Sequence, residues 1–166
     1  MELIHRYIHP LSENQQKILT ELLPLYQFWN AQINVISRKD MDSFFLHHVL
    51  HSLTLTRFTQ FKPGTKIIDL GCGGGFPGIP LAIFYPEVEF ILIDSIGKKI
   101  KVVHEVCKAL NLQNVTAHHC RVEDCKEKVQ FIVTRAVASL QQLLIWSQHR
   151  FDKKEMNALP NGLIAY

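Results

Sequence analysis

Between Lys66 and Phe84 the chain reads KIIDLGCGGGFPGIPLAIF. An apolar, strand-like run stops, five of the next eight residues are glycine, and an apolar, helix-like run begins. A turn with so little side chain lets the backbone bend tightly and come close to a ligand. A structural turn would need far fewer glycines. Asp69 stands two residues before the first of them, Gly71, and a second carboxylate, Asp94, ends the next apolar run, VEFILID. Further along, CRVED brings Val122 and Glu123 behind a third run, and Arg135 closes a fourth. If these runs are parallel strands, all of these residues collect at one edge of one sheet, where open α/β sheets bind ligands.

The types suggest a nucleoside. Asp94 suits a ribose diol. A backbone amide at Val122 and the carboxylate of Glu123 could read an adenine edge, although an exposed loop would also account for them. The dinucleotide fingerprint G-x-G-x-x-G matches at Gly73, Gly75 and Gly78, but it starts late: counted from Gly71, its third position falls on Phe76. Asp69 separates the cofactor classes. A dinucleotide would place an anionic pyrophosphate over this turn, where a carboxylate repels it. S-adenosylmethionine has no phosphate and carries a sulfonium and an ammonium. Opposite charges in a partly desolvated cleft attract by on the order of 1–4 kcal/mol, so the turn favours S-adenosylmethionine over NAD. The alternative is an Asp69 that caps backbone N–H groups of its own turn. Arg135 could pair with the methionine carboxylate, with a substrate phosphate, or with Asp94 or Glu123 as a structural ion pair.

The elements that must position these groups follow from periodicity. Strand-like runs occur at 66–70, 88–94, 115–119 and 129–135, with helix-like GIPLAIF and GKKIKVVHEVCKALNL between the first three and a short polar stretch before the fourth. Alternation of this kind predicts an α/β fold with a doubly wound, mostly parallel sheet. A fifth run, GLIAY, begins at Gly162. Residues 1–60 read as a helical extension. Ser12 and Gln15 make a capping box, Ile18, Leu19, Leu22, Leu23, Tyr26 and Trp29 recur at helical spacing, and Pro24 should kink that helix. A second helix is expected around Phe44 to Leu53, and FKPGT (61–65) is the turn that leads into a core of 61–166.

The whole chain has 166 residues, 47% of them apolar, enough to bury a sizeable core. No stretch is long and apolar enough for a membrane span, and the start lacks a signal-like pattern. The four cysteines form no C-x-x-C pair and read as reduced thiols of a cytoplasmic protein. A net charge of +3 permits an anionic partner without requiring one. His47 and His51 lie one turn apart, and His118 and His119 precede Cys120, but no motif anchors a metal, and none is expected. His48, on the apolar face, reads as a packed histidine. Lys98, Lys99, Lys101 and Lys108 on one helix, with Arg38, Lys39 and Arg57, could meet phosphates or could form a solvated face.

In FWNAQINVIS (28–37), HHVLHSL (47–53), IIDLGCGGGFPGIPLA (67–82), LIDSIGKKIKVV (92–103), CRVED and TRAVASL (134–140), the chain resembles the GidB or RsmG family of bacterial 16S ribosomal RNA (guanine-N7) methyltransferases. The likeness runs in order from Trp29 to Leu140, and it departs at His51-Ser52 and at Val35-Ile36-Ser37. It implies a Rossmann-like class I methyltransferase that uses S-adenosylmethionine on 16S ribosomal RNA or the small ribosomal subunit. It also implies that Gly71, Phe76, Val122 and Glu123 touch the cofactor, that Arg135 touches cofactor or substrate, and that Asn34, His48 and Arg121 lie around the active cleft. With the residues read above, Gly73 and Asp94 join the cofactor set, and Asn34, Arg121 and Arg135 are the substrate-side candidates. No catalytic acid or base is expected, since guanine N7 already has a free lone pair. The family continues beyond Tyr166 with a lysine–glycine pair, further strands and basic residues. The resemblance therefore implies a C-terminally truncated chain that retains cofactor binding, has little activity on RNA and tends to self-associate through its open edge. A small-molecule methyltransferase of the same fold and a non-catalytic S-adenosylmethionine-binding protein are the rivals. An NAD oxidoreductase is disfavoured by Asp69 and by the lack of a second substrate domain.

Overall fold

A computed structural model describes residues 2–8 and 10–166; Met1 and His9 lie outside the described residues. Five strands, β1 (Lys66–Leu70), β2 (Glu89–Asp94), β3 (Val115–His119), β4 (Phe131–Thr134) and β5 (Gly162–Ala165), form one sheet in the order β3-β2-β1-β4-β5. Every neighbouring pair is parallel. The order reverses at β1, between β2 and β4, and the glycine turn leaves β1 at that switch point, where a crevice opens in folds of this type.

Before the sheet come α1 (Glu2–Tyr7), α2 (Glu13–Asn30), α3 (Arg38–Met41) and a continuous helical stretch. That stretch opens as a π-helix over Phe45–Leu50, passes through α4 (His51–Leu53) and tightens to 3₁₀ over Thr54–Arg57. The expected capping box is present: Gln15 N–H donates to Ser12 Oγ, and Ser12 N–H donates to Gln15 Oε1. Pro24 does not divide α2, which runs on through it as a single element. The helices that follow are α5 (Gly78–Phe84), α6 (Gly97–Ala109) and α7 (Leu140–Ser147). α7, capped by Ser139, does not stand out in the sequence as a helix. Between β3 and β4 there is only a 3₁₀ turn, Val122–Asp124. Among the described residues no helix is long and apolar enough to cross a membrane.

Alternation along the strands divides the core. Ile67, Phe90, Leu92, Phe131 and Val133 face the helices α2, α5 and α6, while Ile68, Leu70, Ile91, Ile93 and Ile132 face Leu143 of α7. Ile4, Leu19, Leu22, Tyr26 and Val49 from the first 60 residues are buried in the same cluster as the first of these faces. Asp69 shares the face of Ile67, because it is two residues further along the strand. Its carboxylate therefore points at the start of α5, where Oδ2 accepts the Gly78 N–H at 2.7 Å. Gly78 leaves no room for more: a Cβ there would lie 2.7 Å from Asp69 Oδ2 and 2.8 Å from Leu92 Cδ1. Replacing Gly78 by alanine should lower the unfolding free energy by about 1–3 kcal/mol. Chemical denaturation checks this, and an unchanged midpoint would refute the packing argument.

Candidate active site

The glycine turn is held in an unusual backbone shape. Gly71, Gly73 and Gly75 have φ of 68°, 56° and 96°, in the left-handed region that only glycine enters freely. A Cβ on Gly73 would meet nothing within 4 Å, so this glycine faces open space. At Gly71 a Cβ would lie 2.6 Å from Val137 Cγ2. The obstacle to a side chain at Gly71 is therefore Val137, as well as any ligand.

Three groups fix the turn from behind. Asp94 Oδ2 accepts the Gly73 N–H at 2.9 Å, and Asp94 Oδ1 accepts the Ile96 N–H at 2.8 Å. The buried Tyr26 hydroxyl donates to the Gly74 carbonyl. Asp69 supplies the third support through Gly78. It is fully buried and lines neither hollow at the turn. The expectation that its charge meets a cationic cofactor directly is thus corrected: the strand's alternation turns it inward, and the capping role is the one it plays. Its Oδ1 has no hydrogen-bond partner among the described residues. Burial pushes the carboxyl up to about 7, against the pull of the Gly78 N–H and, after it, the Arg135 guanidinium.

Two hollows meet over the turn. The first, about 230 Å³, is bounded by Cys120, Arg121, Val122, Glu123 and Trp146. The second, about 410 Å³, is bounded by Val35, His48, Gly73, Phe76, Lys99 and Arg135. Gly71, Asp94, Ser95 and Val137 belong to both. The second alone has the volume of a small-molecule site, and the first extends it. The sequence-nominated Gly71, Gly73, Phe76, Asp94, Arg121, Val122, Glu123 and Arg135 are all brought together here. Asn34 is not: it is exposed and lines neither hollow, although its neighbour Val35 does.

Arg135 makes no ion pair with Asp94 or Glu123 among the described residues. Instead its Nη1 donates to the His47 carbonyl at 3.1 Å and lies 3.4 Å from His51 Nδ1, and its Nη2 lies 3.1 Å from His48 Nδ1. The guanidinium also sits 5.9 Å from the centre of the Phe76 ring. A guanidinium only donates, so His48 Nδ1 accepts and its proton resides on Nε2. Burial first, and the Arg135 charge second, pull the His48 imidazole down to about 4, which keeps it neutral. Burial and then Arg135 pull His51 down as well.

Several members of the site could not be found from sequence spacing. Arg150 Nη2 donates to the carbonyls of Val122 (2.8 Å) and Glu123 (3.1 Å) and so orders the turn that bounds the first hollow. Trp146 and Val137 come from the segment after β4, and Tyr26 reaches in across 48 residues. Lys99, which the sequence offers as a surface cation, lines the second hollow. No group of three or more His, Cys, Asp or Glu side chains with metal-site geometry occurs among the described residues.

Comparison with known proteins places this geometry in context. The family described as GidB, rRNA small subunit methyltransferase G, matches residues 15–160. Ribosomal RNA small subunit methyltransferase G of Porphyromonas gingivalis is 54% identical over 164 residues, covering 98% of this chain and 74% of that protein. The protein of the same name from Bacteroides thetaiotaomicron is 52% identical, covering 99% of this chain and 80% of that protein. Among solved structures, Trm5b from Pyrococcus abyssi superposes with a TM-score of 0.53 at 14% identity, over 70% of this chain and 32% of that one. Coclaurine N-methyltransferase gives 0.51 at 17% identity, over 81% and 47%. These two likenesses bear on the fold, and they match the doubly wound sheet expected from the alternation of runs.

Asp69 generates a prediction. An acid whose folded pKa is raised from about 4 to about 7 favours the fold while protonated. That contribution is fully present below about pH 4 and is lost as pH rises through about 7, at about 1.4 kcal/mol per unit. Asp69→Asn keeps an acceptor for Gly78 and cannot ionise. Its stability relative to wild type should therefore improve from about pH 4 to about pH 7 and level off above that. Urea titrations of both proteins across this range check it; parallel pH profiles would refute it.

Proposed function

Given that the chain belongs to the GidB family, rRNA small subunit methyltransferase G, we propose that it moves a methyl group from S-adenosylmethionine to N7 of a guanosine in 16S ribosomal RNA. Methylation of ribosomal RNA rests on that membership. The choice of N7 is supported by one observation: among the described residues, the second hollow offers no carboxylate or imidazole free to take a proton. Both Asp94 oxygens accept backbone N–H groups, and the acceptor nitrogen of His48 is occupied by Arg135. A base amine or hydroxyl would have to lose a proton on methylation, whereas guanine N7 would not.

The residues suit the cofactor. Gly73 presents open space where a Cβ would intrude, Asp94 bridges both hollows, and Val122 and Glu123 bound the first on a turn that Arg150 fixes. In this reading Gly71, Gly73, Asp94, Val122 and Glu123 hold the nucleoside end. Phe76 and Arg135 bound the other end, and Arg121, Arg135 and the exposed Asn34 face the RNA. When bound, S-adenosylmethionine supplies an electrophilic methyl group. The chain's own residues then act by position: the apolar walls of Val35, Phe76 and Val137 exclude water, and the fixed glycine turn sets where the base can lie. No residue is assigned as an acid or base.

The test is transfer of labelled methyl groups to isolated 16S ribosomal RNA and to small subunits, followed by chain scission specific for 7-methylguanosine. Label in RNA, even at a low level, with scission at one guanosine is the expected result. Label confined to small metabolites, label in RNA without scission, or binding of NAD in place of S-adenosylmethionine would each overturn the reading. Gly73→Val, which fills the open space at the turn, should weaken S-adenosylmethionine binding by at least about tenfold in calorimetry. Unaltered affinity would remove Gly73 from the site.

A further inference from the structure

Apart from the two hollows at the glycine turn, the chain carries a second recessed surface, on the helical extension. A groove of about 390 Å³ is lined by Arg6, Tyr7, Ile8, Leu50, Thr54, Arg57 and Phe58. Next to it a hollow of about 370 Å³ is lined by Leu46, His47, Leu50, His51 and Thr54. The two share Leu50 and Thr54, so they form one track.

The composition of this track is specific. Phe58 is 83% exposed, more than any other large apolar side chain among the described residues, and Tyr7 is 50% exposed. Neither exposure serves the core. The Arg6 guanidinium lies 5.7 Å from the centre of the Tyr7 ring, so a cation and an aromatic face are presented together. Arg57 stands beside Phe58 in the groove, and both are exposed. Among the described residues no carboxylate lines either part of the track. Asp40, the acid that reaches its edge, is taken up by His47 at 3.2 Å and by the Ser37 hydroxyl at 2.6 Å.

The track leads to the site. His47 and His51, which line its inner end, also contact Arg135, through the His47 carbonyl and the His51 ring. Arg135 in turn lines the hollow at the glycine turn. From His47 to Arg57 the helical path covers roughly 15 Å, at the rise of a helix, which is a few nucleotides of RNA.

We propose that this arginine–aromatic track is the docking surface for an unpaired segment of the ribosomal RNA next to the methylated guanosine, with Phe58 and Tyr7 stacking on bases and Arg6 and Arg57 meeting phosphates. The inference rests on the reading that the substrate is ribosomal RNA. Exposed flat rings interleaved with cations, without carboxylates, are what single-stranded RNA needs: every base has a face to stack, and every linkage carries a charge. An apolar peptide would have no use for the arginines, and an acidic one no use for a ring as exposed as Phe58.

The experiment uses the full chain, with filter binding to 16S ribosomal RNA and to small subunits over a range of salt, calorimetry with S-adenosylmethionine, and sedimentation. Phe58→Ala should weaken RNA binding by about tenfold or more, while Phe58→Trp restores it. Arg57→Glu should weaken binding and reduce the slope of log affinity against log salt by about one. Both variants should melt like wild type and bind S-adenosylmethionine unchanged. If wild type methylates RNA and the variants bind it equally well, the track is not the docking surface while the proposed reaction stands. If the variants alter self-association and leave RNA affinity unmoved, the track is a contact between copies and the proposal falls. If wild type binds S-adenosylmethionine but neither binds nor methylates RNA, the proposed reaction fails and this inference fails with it.

Discussion

A turn made of glycine has no side chains with which to hold its own shape, and the site depends on carboxylates that hold it from beneath. Asp69 at the end of β1 accepts from the first residue of α5, and Asp94 at the end of β2 accepts from both the turn and the approach to α6. Each bond pairs a backbone N–H with a carboxyl group. Such bonds contribute about 1.5–3 kcal/mol when the acceptor is charged, and a backbone donor left bare in their place would cost a comparable amount. Because both residues lie near the ends of parallel neighbours in register, with Asp69 opposite Leu92 and Leu70 opposite Ile93, the supports share one frame. Glycine supplies the reach of this backbone and the two strands supply its rigidity. A preformed recess at a sheet's switch point follows from that combination.

This constraint also explains what could be read from the sequence. The strands, the glycine turn and the capping box were legible because each depends on local pattern: apolar runs, φ values that require glycine, and a hydroxyl three residues from an amide. Asp69 was legible as important, but the reason first assigned to it fails. Its charge suits a ligand in the cleft, whereas the two-residue alternation from Ile67 turns it into the core. Pro24 lies inside α2, and tertiary burial of Leu19, Leu22 and Tyr26 on one face keeps α2 a single element through it. α7 escaped notice since its outward face is apolar too: Leu140, Leu144 and Ile145 are more than half exposed, and the amphipathic contrast that marks a helix is missing. Arg150 and Tyr26 belong to the site through pairings across long stretches of chain, for which spacing carries no signal.

The helical extension is part of the same device. Phe76 leaves the glycine turn and packs against Tyr26, Phe44 and His48, with ring centres 4.9, 5.8 and 5.0 Å away. Two of these rings come from the stretch after α3 and one from α2, so the wall of the second hollow is built jointly by the extension and the sheet. The π-helical turn at Phe45–Leu50 is where this matters most. Widened turns of this kind occur at functional positions in helices, and here the turn contains His47 and His48, whose carbonyl and ring both meet Arg135.

That contact bears on the electrostatics of the proposed reaction. The cofactor is cationic and so is a guanine methylated at N7, and a free arginine beside them would oppose both. Arg135 cannot be neutralised, since a guanidinium stays charged. Its charge is instead spread over a carbonyl, two neutral imidazoles and the face of Phe76, while Asp69 lies near enough to feel it. Neutral histidines are essential to that arrangement: a proton on His48 Nδ1 would replace an acceptor with a second cation. Burial and Arg135 together make this protonation unfavourable, which is why His48 falls to about 4. The arginine is thereby aimed along the wall of the hollow and still available to an anionic group at its rim. A phosphate of the RNA can meet it there without bringing its charge to bear on the ring being methylated.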